Sequence, residues 1–394
     1  MRTIRRMPAG QVVPEAPAPT DGSNGPGGPD ASGPVTQTGG DGGRLTRGNK
    51  IVLGVFFAFL VILVVGSLVH LPYAIMSPGP IVNTLGKQPS NGKDVPLIRV
   101  EGLPSYPAEG SLDFTTVRVE GGPGYPVDVW DVLQAWIDPA RDVLPVDEVF
   151  DPSVTEQQVA EENAVQMAGS QEEATAVALR AIGKTVPAHV AIAQIAPASK
   201  AKDVLKVGDR LVKVGATTIT SPQDAREALQ EVTAGDTVTM VIERGGKTST
   251  VKVPTITGQN GRTALGVVLG LDHDFPAKIT IDAGSVGGPS AGLMFSLGIY
   301  DKLTPGSLTG ERNIAGTGTI SDDGTVGPIG GIRQKLAGAR GGGADYFLAP
   351  ADNCNEVVGN IPDGLEVFKV TSFDDAKTAV ESIAAGKTGS LPRC

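Results

Sequence analysis

The stretch Val286-Gly-Gly-Pro-Ser-Ala-Gly292, followed by Pro328-Ile-Gly-Gly-Ile-Arg-Gln-Lys335, decides how the rest of this chain is interpreted. Ser290 follows a proline and precedes an apolar run, and proline is favoured in the first turn of a helix. We therefore expect Ser290 at a helix N-terminus, where free N–H groups and the helix dipole favour negative charge. The second piece places Lys335 one turn into another predicted helix, residues 332–339. A serine needs a base to become a nucleophile, and a buried lysine can be that base.

The composition limits the classes of function. A chain of 394 residues has room for two or three domains, and its 40% hydrophobic residues are enough for real cores. The net charge of -10 argues against a nucleic-acid partner. The 3 histidines, His70, His189 and His273, leave few candidates for a Ser-His-Asp triad or a histidine-rich metal site. We predict neither a metal nor a cofactor.

The N-terminal part of the chain predicts a membrane anchor. Residues 1–50 are rich in Gly, Pro and Asp and poor in large apolar residues, so we expect a disordered tail. Residues 51–69 are uncharged and almost wholly apolar, and we place the transmembrane anchor at residues 51–71. A cleaved signal peptide is the rival, but the run is long and no Ala-x-Ala-like site follows it. Basic residues before the run put the N-terminus in the cytoplasm, so the later domains of this single-pass protein of the cell membrane are expected to be extracytoplasmic.

Residues 72–185 are interpreted as an extracytoplasmic juxtamembrane segment that contains helices. Residues 127–137 favour a short helix, and we interpret its two tryptophans as core residues or membrane-interface anchors. Thr155 is a favourable N-cap, and the residues after it predict a helix over 155–182 that Gly183 ends.

Residues 186–257 show the pattern of a compact β-rich module. Residues 189–195 predict a strand, residues 221–231 predict a helix capped by Ser221, and residues 238–253 predict a hairpin. This order, and above all Leu205-Lys-Val-Gly-Asp-Arg-Leu211, resembles a bacterial PDZ domain.

The PDZ resemblance implies that an extended peptide binds along a strand edge beside the helix. By position, the strand would contribute Val190 and Ile192 and the helix would contribute Ala225 and Leu229. Lys184-Thr-Val-Pro-Ala188, just before the strand, lacks the usual Gly-hydrophobic-Gly loop that holds a peptide C-terminus. Whether this groove binds C-termini therefore stays open.

Residues 258–394 alternate strand and helix patterns, which indicates an α/β or α+β domain. Gly288-Pro-Ser-Ala-Gly292, Leu308-Thr-Gly-Glu-Arg312 and the Pro-Ile-Gly-Gly helix start with its lysine resemble the proteolytic domain of the Lon protease family in order and separation. The resemblance implies that Ser290 is the nucleophile and Lys335 the general base.

The same resemblance assigns supporting roles. Thr309 aligns with a threonine whose hydroxyl orients the lysine, and Gly288 and Pro289 support the serine. The chain departs from the family at Gly287, where Lon proteases often have an acidic residue; Asp282 is the substitute candidate.

The predicted function is that of a membrane-anchored serine endopeptidase with a Ser–Lys dyad that cleaves extracytoplasmic peptides or unfolded proteins. Gly183-Lys-Thr and Gly386-Lys-Thr lack the earlier glycine of a Walker A motif, so we expect the activity to be independent of ATP. One rival is a PDZ-based peptide-binding adaptor with an inactive Lon-like domain, which the missing acid favours. Another is a signal-peptidase-like enzyme, although its serine is expected close behind the anchor. Assembly into a homo-oligomer, as in many Lon domains, stays open.

Two further features remain. Cys354 and Cys394 are expected outside the membrane, where disulfides form, and we predict an intramolecular bridge between them. Two free thiols, a zinc site and an intermolecular bridge are the alternatives. Asp272-His-Asp274 has the residue types of a metal or base site, but because no further ligands cluster with it we interpret it as a surface loop.

Overall fold

The computed structural model describes residues 47–90, 93–258 and 261–394. The predicted disordered tail, apart from residues 47–50, lies outside the described residues. The described residues separate into two units, with the division between Phe59 and Leu60.

The helices follow the sequence patterns closely. Thr155 and Gln158 form a capping box at the start of the helix that ends at Ala181, and Gly183 beyond it has a φ of 79°. Ser221 caps its predicted helix in the same way. The described residues contain nine α-helices: α1 (Arg47–Leu68), α2 (Val129–Ile137), α3 (Val146–Val149), α4 (Glu156–Ala181), α5 (Pro222–Gln230), α6 (Gly292–Leu303), α7 (Ile332–Gly341), α8 (Cys354–Val357) and α9 (Phe373–Ala384).

The strands are mostly short. Before α5 they are β1 (His70–Leu71), β2 (Tyr73–Asn83), β3 (Lys87–Ser90), β4 (Lys93–Pro96), β5 (Ile98–Glu101), β6 (Ser111–Glu120), β7 (Val127–Asp128), β8 (Asp142–Pro145), β9 (Ala188–Ile195), β10 (Arg210–Val214) and β11 (Thr217–Thr218). After α5 they are β12 (Thr237–Arg244), β13 (Lys247–Pro254), β14 (Ile256–Thr257), β15 (Thr263–Ala264), β16 (Val267–His273), β17 (Lys278–Ile281), β18 (Asn313–Gly316), β19 (Thr319–Ile320), β20 (Val326–Gly327), β21 (Tyr346–Pro350) and β22 (Glu366–Val370).

Helix α1 has the length and composition of a membrane span. Its 22 residues correspond to about 33 Å at ~1.5 Å per residue, close to the thickness of a bilayer core. None of its residues is buried, and among the described residues it is the one helix long and apolar enough to cross a membrane.

A six-stranded sheet in the order β22-β21-β18-β6-β2-β8 joins strands from residues 73–145 to strands from residues 313–370. Strands β22, β21, β18 and β6 are parallel, whereas β2 pairs antiparallel with β6 and β8. The sequence places residues 72–185 in a separate segment, but this sheet takes β2, β6 and β8 from it. We correct that boundary: residues 72–185 and 258–394 contribute to one sheet and one core.

The core explains why the two segments fold together. Helix α4, from the first segment, packs against α6 from the second. The rings of Phe114 on β6 and Phe295 on α6 lie 5.2 Å apart in an edge-to-face arrangement, and both side chains are fully buried. Neither segment could cover these aromatic surfaces alone.

A second six-stranded sheet has the order β13-β12-β10-β9-β16, with β11 paired to β10. Helix α5 buries Ala225, Ala228 and Leu229 in the core of this module. Strand β16 lies beyond the predicted boundary at residue 257, yet it pairs with β9 over its whole length, from Val267 opposite Ile195 to His273 opposite Ala188. We therefore correct this boundary as well, because β9 needs β16 to complete its hydrogen bonds.

The C-terminal tail is fixed to the sheet edge. Cys354 and Cys394 form a disulfide, with Cα atoms 4.9 Å apart. The backbone N–H of Lys369 on β22 donates to the carbonyl of Pro392 at 3.0 Å.

Candidate active site

Ser290 lies in a tight loop just before helix α6. The helix begins at Gly292 with Ala291 as N-cap, so the serine precedes it by two residues. Gly288 has a φ of 81°, a conformation that favours glycine and turns the chain sharply ahead of the serine. The carbonyl of Ser290 accepts hydrogen bonds from the Gly318 N–H and the Thr317 hydroxyl, each at 2.9 Å, which fixes the main chain at this position.

Helix α4 holds the loop from the other side. The N–H of Gly288 donates to the carbonyl of Asn163 at 3.1 Å, and the Ser170 hydroxyl donates to the carbonyl of Pro289 at 2.9 Å. A β-carbon on Gly287 would lie only 2.7 Å from the β-carbon of Asn163. Position 287 has no room for an acidic side chain because α4 occupies that space. Gly288 and Pro289, predicted as supporting residues, thus act through their main-chain atoms.

Lys335 reaches the serine from helix α7. Gly331, at the N-cap, adopts a left-handed conformation with a φ of 70°, which starts the helix directly after the Gly-Gly pair. The Nζ atom of Lys335 lies 2.7 Å from Ser290 Oγ and 2.9 Å from Thr317 Oγ1. The lysine is 3% exposed. Within the described residues, no ion pair to a carboxylate is formed by Lys335, so Glu311 and Asp282 do not compensate its charge.

Burial lowers the pKa of Lys335 from 10.5 to about 7, because the low-dielectric surroundings disfavour the charged ammonium. A neutral amine is therefore accessible near neutral pH. Its lone pair can accept a proton from the Ser290 hydroxyl, while one N–H donates to Thr317, whose own proton goes to the Ser290 carbonyl.

Thr317, rather than Thr309, contacts the lysine. The Thr309 hydroxyl donates to the Glu109 carbonyl at 2.6 Å and lies 3.2 Å from the Ser307 hydroxyl, so it is used elsewhere. The predicted role of Thr309 is therefore wrong. The signal that could have found Thr317 is a second Thr-Gly pair, residues 317–318, directly after strand β18.

Comparisons with known proteins agree with this geometry. Residues 273–382 match the family model described as the Lon protease (S16) C-terminal proteolytic domain, and residues 164–255 match that of the PDZ domain. This chain contains a Lon-type proteolytic domain and a PDZ domain.

Individual curated relatives match a limited part of this chain. The chain is 38% identical to the Lon protease of Azospirillum brasilense over 91 residues. This matched region is 22% of this chain and 11% of the relative. Lon protease 2 of Bacillus subtilis is 34% identical over 102 residues, or 26% of this chain and 17% of the relative. The chain thus spans less than a fifth of each of these two relatives. The PDZ domain of an SdrC-like protein from Listeria monocytogenes matches 21% of this chain and 86% of that domain, at 22% identity and a TM-score of 0.20.

A cleft of about 920 Å³ opens next to the loop that carries Ser290. One wall is the loop 284–287, directly before Gly288, and the opposite walls come from β6 and from residues 149–166 at the start of α4. These outer walls precede the part of the chain that matches the Lon family. The larger apolar side chains of the cleft include Val117, Val119, Tyr125, Val149, Phe150, Val154, Val159 and Val286. Its carboxylates are Asp151, Glu156 and Glu162.

The open groove of the PDZ domain lies along β16, one strand away from the predicted position along β9. Strand β9 is paired on both edges, with β10 and β16, and Val190 and Ile192 are 1% exposed in the core. A cavity of about 930 Å³ instead lies between β16 and helix α5, and Ala225 and Leu229 form part of its wall. The predicted groove along β9 is therefore corrected to the outer edge of β16.

The loop that leads into β16 takes the place of the glycine-containing loop that residues 184–188 lack. Leu265-Gly266-Val267 enters the strand through Gly266, which has a φ of 68°, and these residues line the cavity. The PDZ resemblance predicts this loop before β9, at residues 184–188, but the Gly-containing loop follows the hairpin, about eighty residues later.

His273 is a buried junction residue and not part of a surface loop, which corrects that prediction. Its Nδ1 lies 2.9 Å from Glu172 on α4, and its Nε2 lies 2.7 Å from Asp322. Burial opposes the charged ring, but hydrogen bonds to both carboxylates outweigh it and raise the pKa of His273. His273 therefore ties the end of the PDZ strand β16 to the helix that holds the Ser290 loop.

Proposed function

We propose that this chain is a membrane-anchored, ATP-independent serine endopeptidase that cleaves extracytoplasmic peptides or unfolded proteins with a Ser290–Lys335 dyad. The observation that carries the proposal is the position of Lys335 Nζ, 2.7 Å from Ser290 Oγ and without a carboxylate partner among the described residues. A lysine pKa of about 7 matches the optimum for a general base that works near neutral pH.

The reaction would proceed by acyl transfer. Neutral Lys335 takes the proton of Ser290 as Oγ attacks the scissile carbonyl, and N–H groups around Ser290 stabilise the oxyanion. Protonated Lys335 then donates this proton to the leaving amine as the peptide C–N bond breaks. Water, deprotonated by Lys335, attacks the ester and releases Ser290. Thr317 orients the amine throughout, since its hydroxyl bridges the lysine and the Ser290 carbonyl.

Extended or unfolded chains suit the two open surfaces. The cleft beside the Ser290 loop offers apolar walls along which a stretched peptide can lie. The cavity between β16 and α5 lies beside a free strand edge, the arrangement by which peptides add to a sheet. A substrate bound at the PDZ domain would be retained while its other segments reach Ser290.

Two features of the sequence support the location and the independence from ATP. Helix α1 begins with Arg47 and Lys50, and basic residues favour the cytoplasmic side, which leaves residues after α1 outside. The two Gly-Lys-Thr segments follow helices α4 and α9 at Gly183 and Gly386, whereas a phosphate-binding loop precedes its helix.

The test is cleavage of unfolded casein by the full chain in detergent micelles without nucleotide. We expect turnover by the wild type and none by Ser290→Ala or Lys335→Ala. Lys369→Ala, at an exposed lysine on β22, is the matched control and should retain full activity. Unchanged cleavage by Lys335→Ala would refute the dyad. Binding of casein without any cleavage by the wild type would favour the PDZ adaptor.

A further inference from the structure

Helix α2 is held firmly on the sheet by one face. Its N-terminus is fixed by a capping box between Asp128 and Asp131. Val132 and Ala135 are buried against Ile75 of strand β2. The position and rotation of α2 are therefore determined by the Lon-type domain itself.

A second face of α2 is apolar and uncovered. Leu133, Trp136 and Ile137 are 43%, 67% and 83% exposed. Their spacing of three and four residues puts them on one side of the helix. A folded protein rarely leaves large apolar side chains clustered in water, and such a cluster marks a contact surface.

The same helix touches the end of α1. The indole N–H of Trp130 donates to the carbonyl of Leu63 at 3.0 Å. A β-carbon on Gly66 would lie 2.5 Å from the indole nitrogen, so only glycine lets the ring approach this closely. These contacts lie within the second compact unit, residues 60–394.

The contact fixes the depth of α2 relative to a bilayer. Leu63 precedes the last residue of α1, Leu68, by about 8 Å along the helix axis at ~1.5 Å per residue. If α1 spans the hydrocarbon core, its last two turns lie at the extracytoplasmic boundary between acyl chains and headgroups. Helix α2 then lies at the same level.

We propose that α2 is an interfacial helix whose apolar face, Leu133, Trp136 and Ile137, inserts into the outer leaflet of the lipid bilayer. The inference rests on the membrane anchoring proposed above. Tryptophan is favoured at the headgroup level, and helices with one apolar face lie in this plane. The bilayer is the occupant that the contact with α1 selects, because that contact brings the apolar face to the membrane surface.

The consequence concerns orientation. A single transmembrane helix can tilt in the bilayer, and the domain attached to it would move with it. A second attachment at α2 fixes the domain against the membrane, because α2 packs on the sheet that also carries β18 beside the active site. Substrates would then be cleaved close to the membrane surface.

The experiment uses the full chain reconstituted in phosphatidylcholine–phosphatidylglycerol vesicles. Both native cysteines form the disulfide, so Ile137→Cys introduces a single free thiol for an environment-sensitive fluorophore. We expect blue-shifted emission that lipids brominated near the headgroup quench strongly. Gln134→Cys, on the exposed polar face of the same helix, is the matched control and should show water-like, unquenched emission.

Trp136 gives a readout without a label. The chain has 2 tryptophans, so Trp130→Phe leaves Trp136 as the sole one. The substitution also removes the hydrogen bond to Leu63, so its result is compared with that of Ile137→Cys, which keeps this contact. Quenching of Trp136 by brominated lipid is the expected result. Emission that only aqueous acrylamide quenches would overturn the proposal. Emission shielded from acrylamide only at high protein density, and not quenched by brominated lipid, would also overturn it, because the face would then be covered by a second copy of the chain. Release of the chain by alkaline carbonate would instead contradict the anchoring itself.

Discussion

Replacing Lys335 by methionine tests, through the free energy of unfolding, whether burial lowers the pKa of this lysine. Lys335 is 3% exposed and has its pKa lowered from 10.5 to about 7 by burial. Methionine has a similar length and no charge. The variant should be inactive, and it should also be more stable than the wild type, because the cost of burying an ionisable amine disappears.

The magnitude follows from linkage. Below pH 7 the folded protein carries a charged lysine at a cost of about 5 kcal/mol, from a shift of about 3.5 units at ~1.36 kcal/mol per unit. Between pH 7 and 10.5 the unfolded state binds the proton that the folded state has lost, so this cost decreases as the pH rises. At pH 9 about 2 kcal/mol remains. The advantage of Lys335→Met over the wild type should therefore be about 3 kcal/mol larger at pH 6 than at pH 9.

Urea unfolding in detergent at pH 6 and pH 9 measures this difference. Unfolding is monitored by the emission of the two tryptophans of α2, which packs on the same domain. Comparison with the wild type at each pH cancels the titration of distant groups such as His273. Lys369→Met, at an exposed position on β22, controls for the change of side chain. If the gain in unfolding free energy of Lys335→Met over the wild type is equal at pH 6 and pH 9, the pKa of Lys335 is not lowered by burial.

Three further predictions concern the surroundings of the dyad and the disulfide. Thr317→Val should lower kcat about 10-fold or more with little change in stability, whereas Thr309→Val should leave kcat near that of the wild type; the reverse order in casein kinetics would contradict the assignment. Gly287→Asp, which restores the acid common in Lon proteases, should reduce activity because its β-carbon collides with helix α4; a gain in rate would show that the acid is missed. Cys354→Ser with Cys394→Ser should lower the free energy of unfolding by up to about 4 kcal/mol for a separation of 40 residues, and an unchanged urea midpoint would argue against this bond.

Local patterns in the sequence predicted the helices and the position of the two central side chains. Thr155 and Ser221 cap their helices as expected, because capping depends on residues three positions apart. Ser290 and Lys335 could be placed because each belongs to a short motif with its own backbone requirement. Their mutual distance could not be derived from either motif alone.

Long-range pairing was not predictable from these local patterns. Ser111 and Asn313 lie on adjacent strands although 202 residues separate them, and nothing in residues 72–120 indicates that partner. The edge of β9 was expected to be open because β16 follows much later in the chain. Thr309 was wrongly assigned because Thr-Gly-Glu resembles the Lon segment in sequence alone. The fold shows that Thr317 contacts the lysine, whereas Thr309 bonds to the Glu109 carbonyl.

The pH dependence of kcat/KM for cleavage of an unfolded peptide tests the central claim most directly. The free enzyme needs neutral Lys335, so kcat/KM should rise tenfold per pH unit at low pH and level off with a midpoint near pH 7, in agreement with the lowered pKa. Measurements on the full chain should exclude nucleotide and use a peptide without titrating groups in this range. A midpoint near the ordinary lysine pKa of ~10.4, or activity independent of pH across this range, would contradict a Ser290–Lys335 dyad.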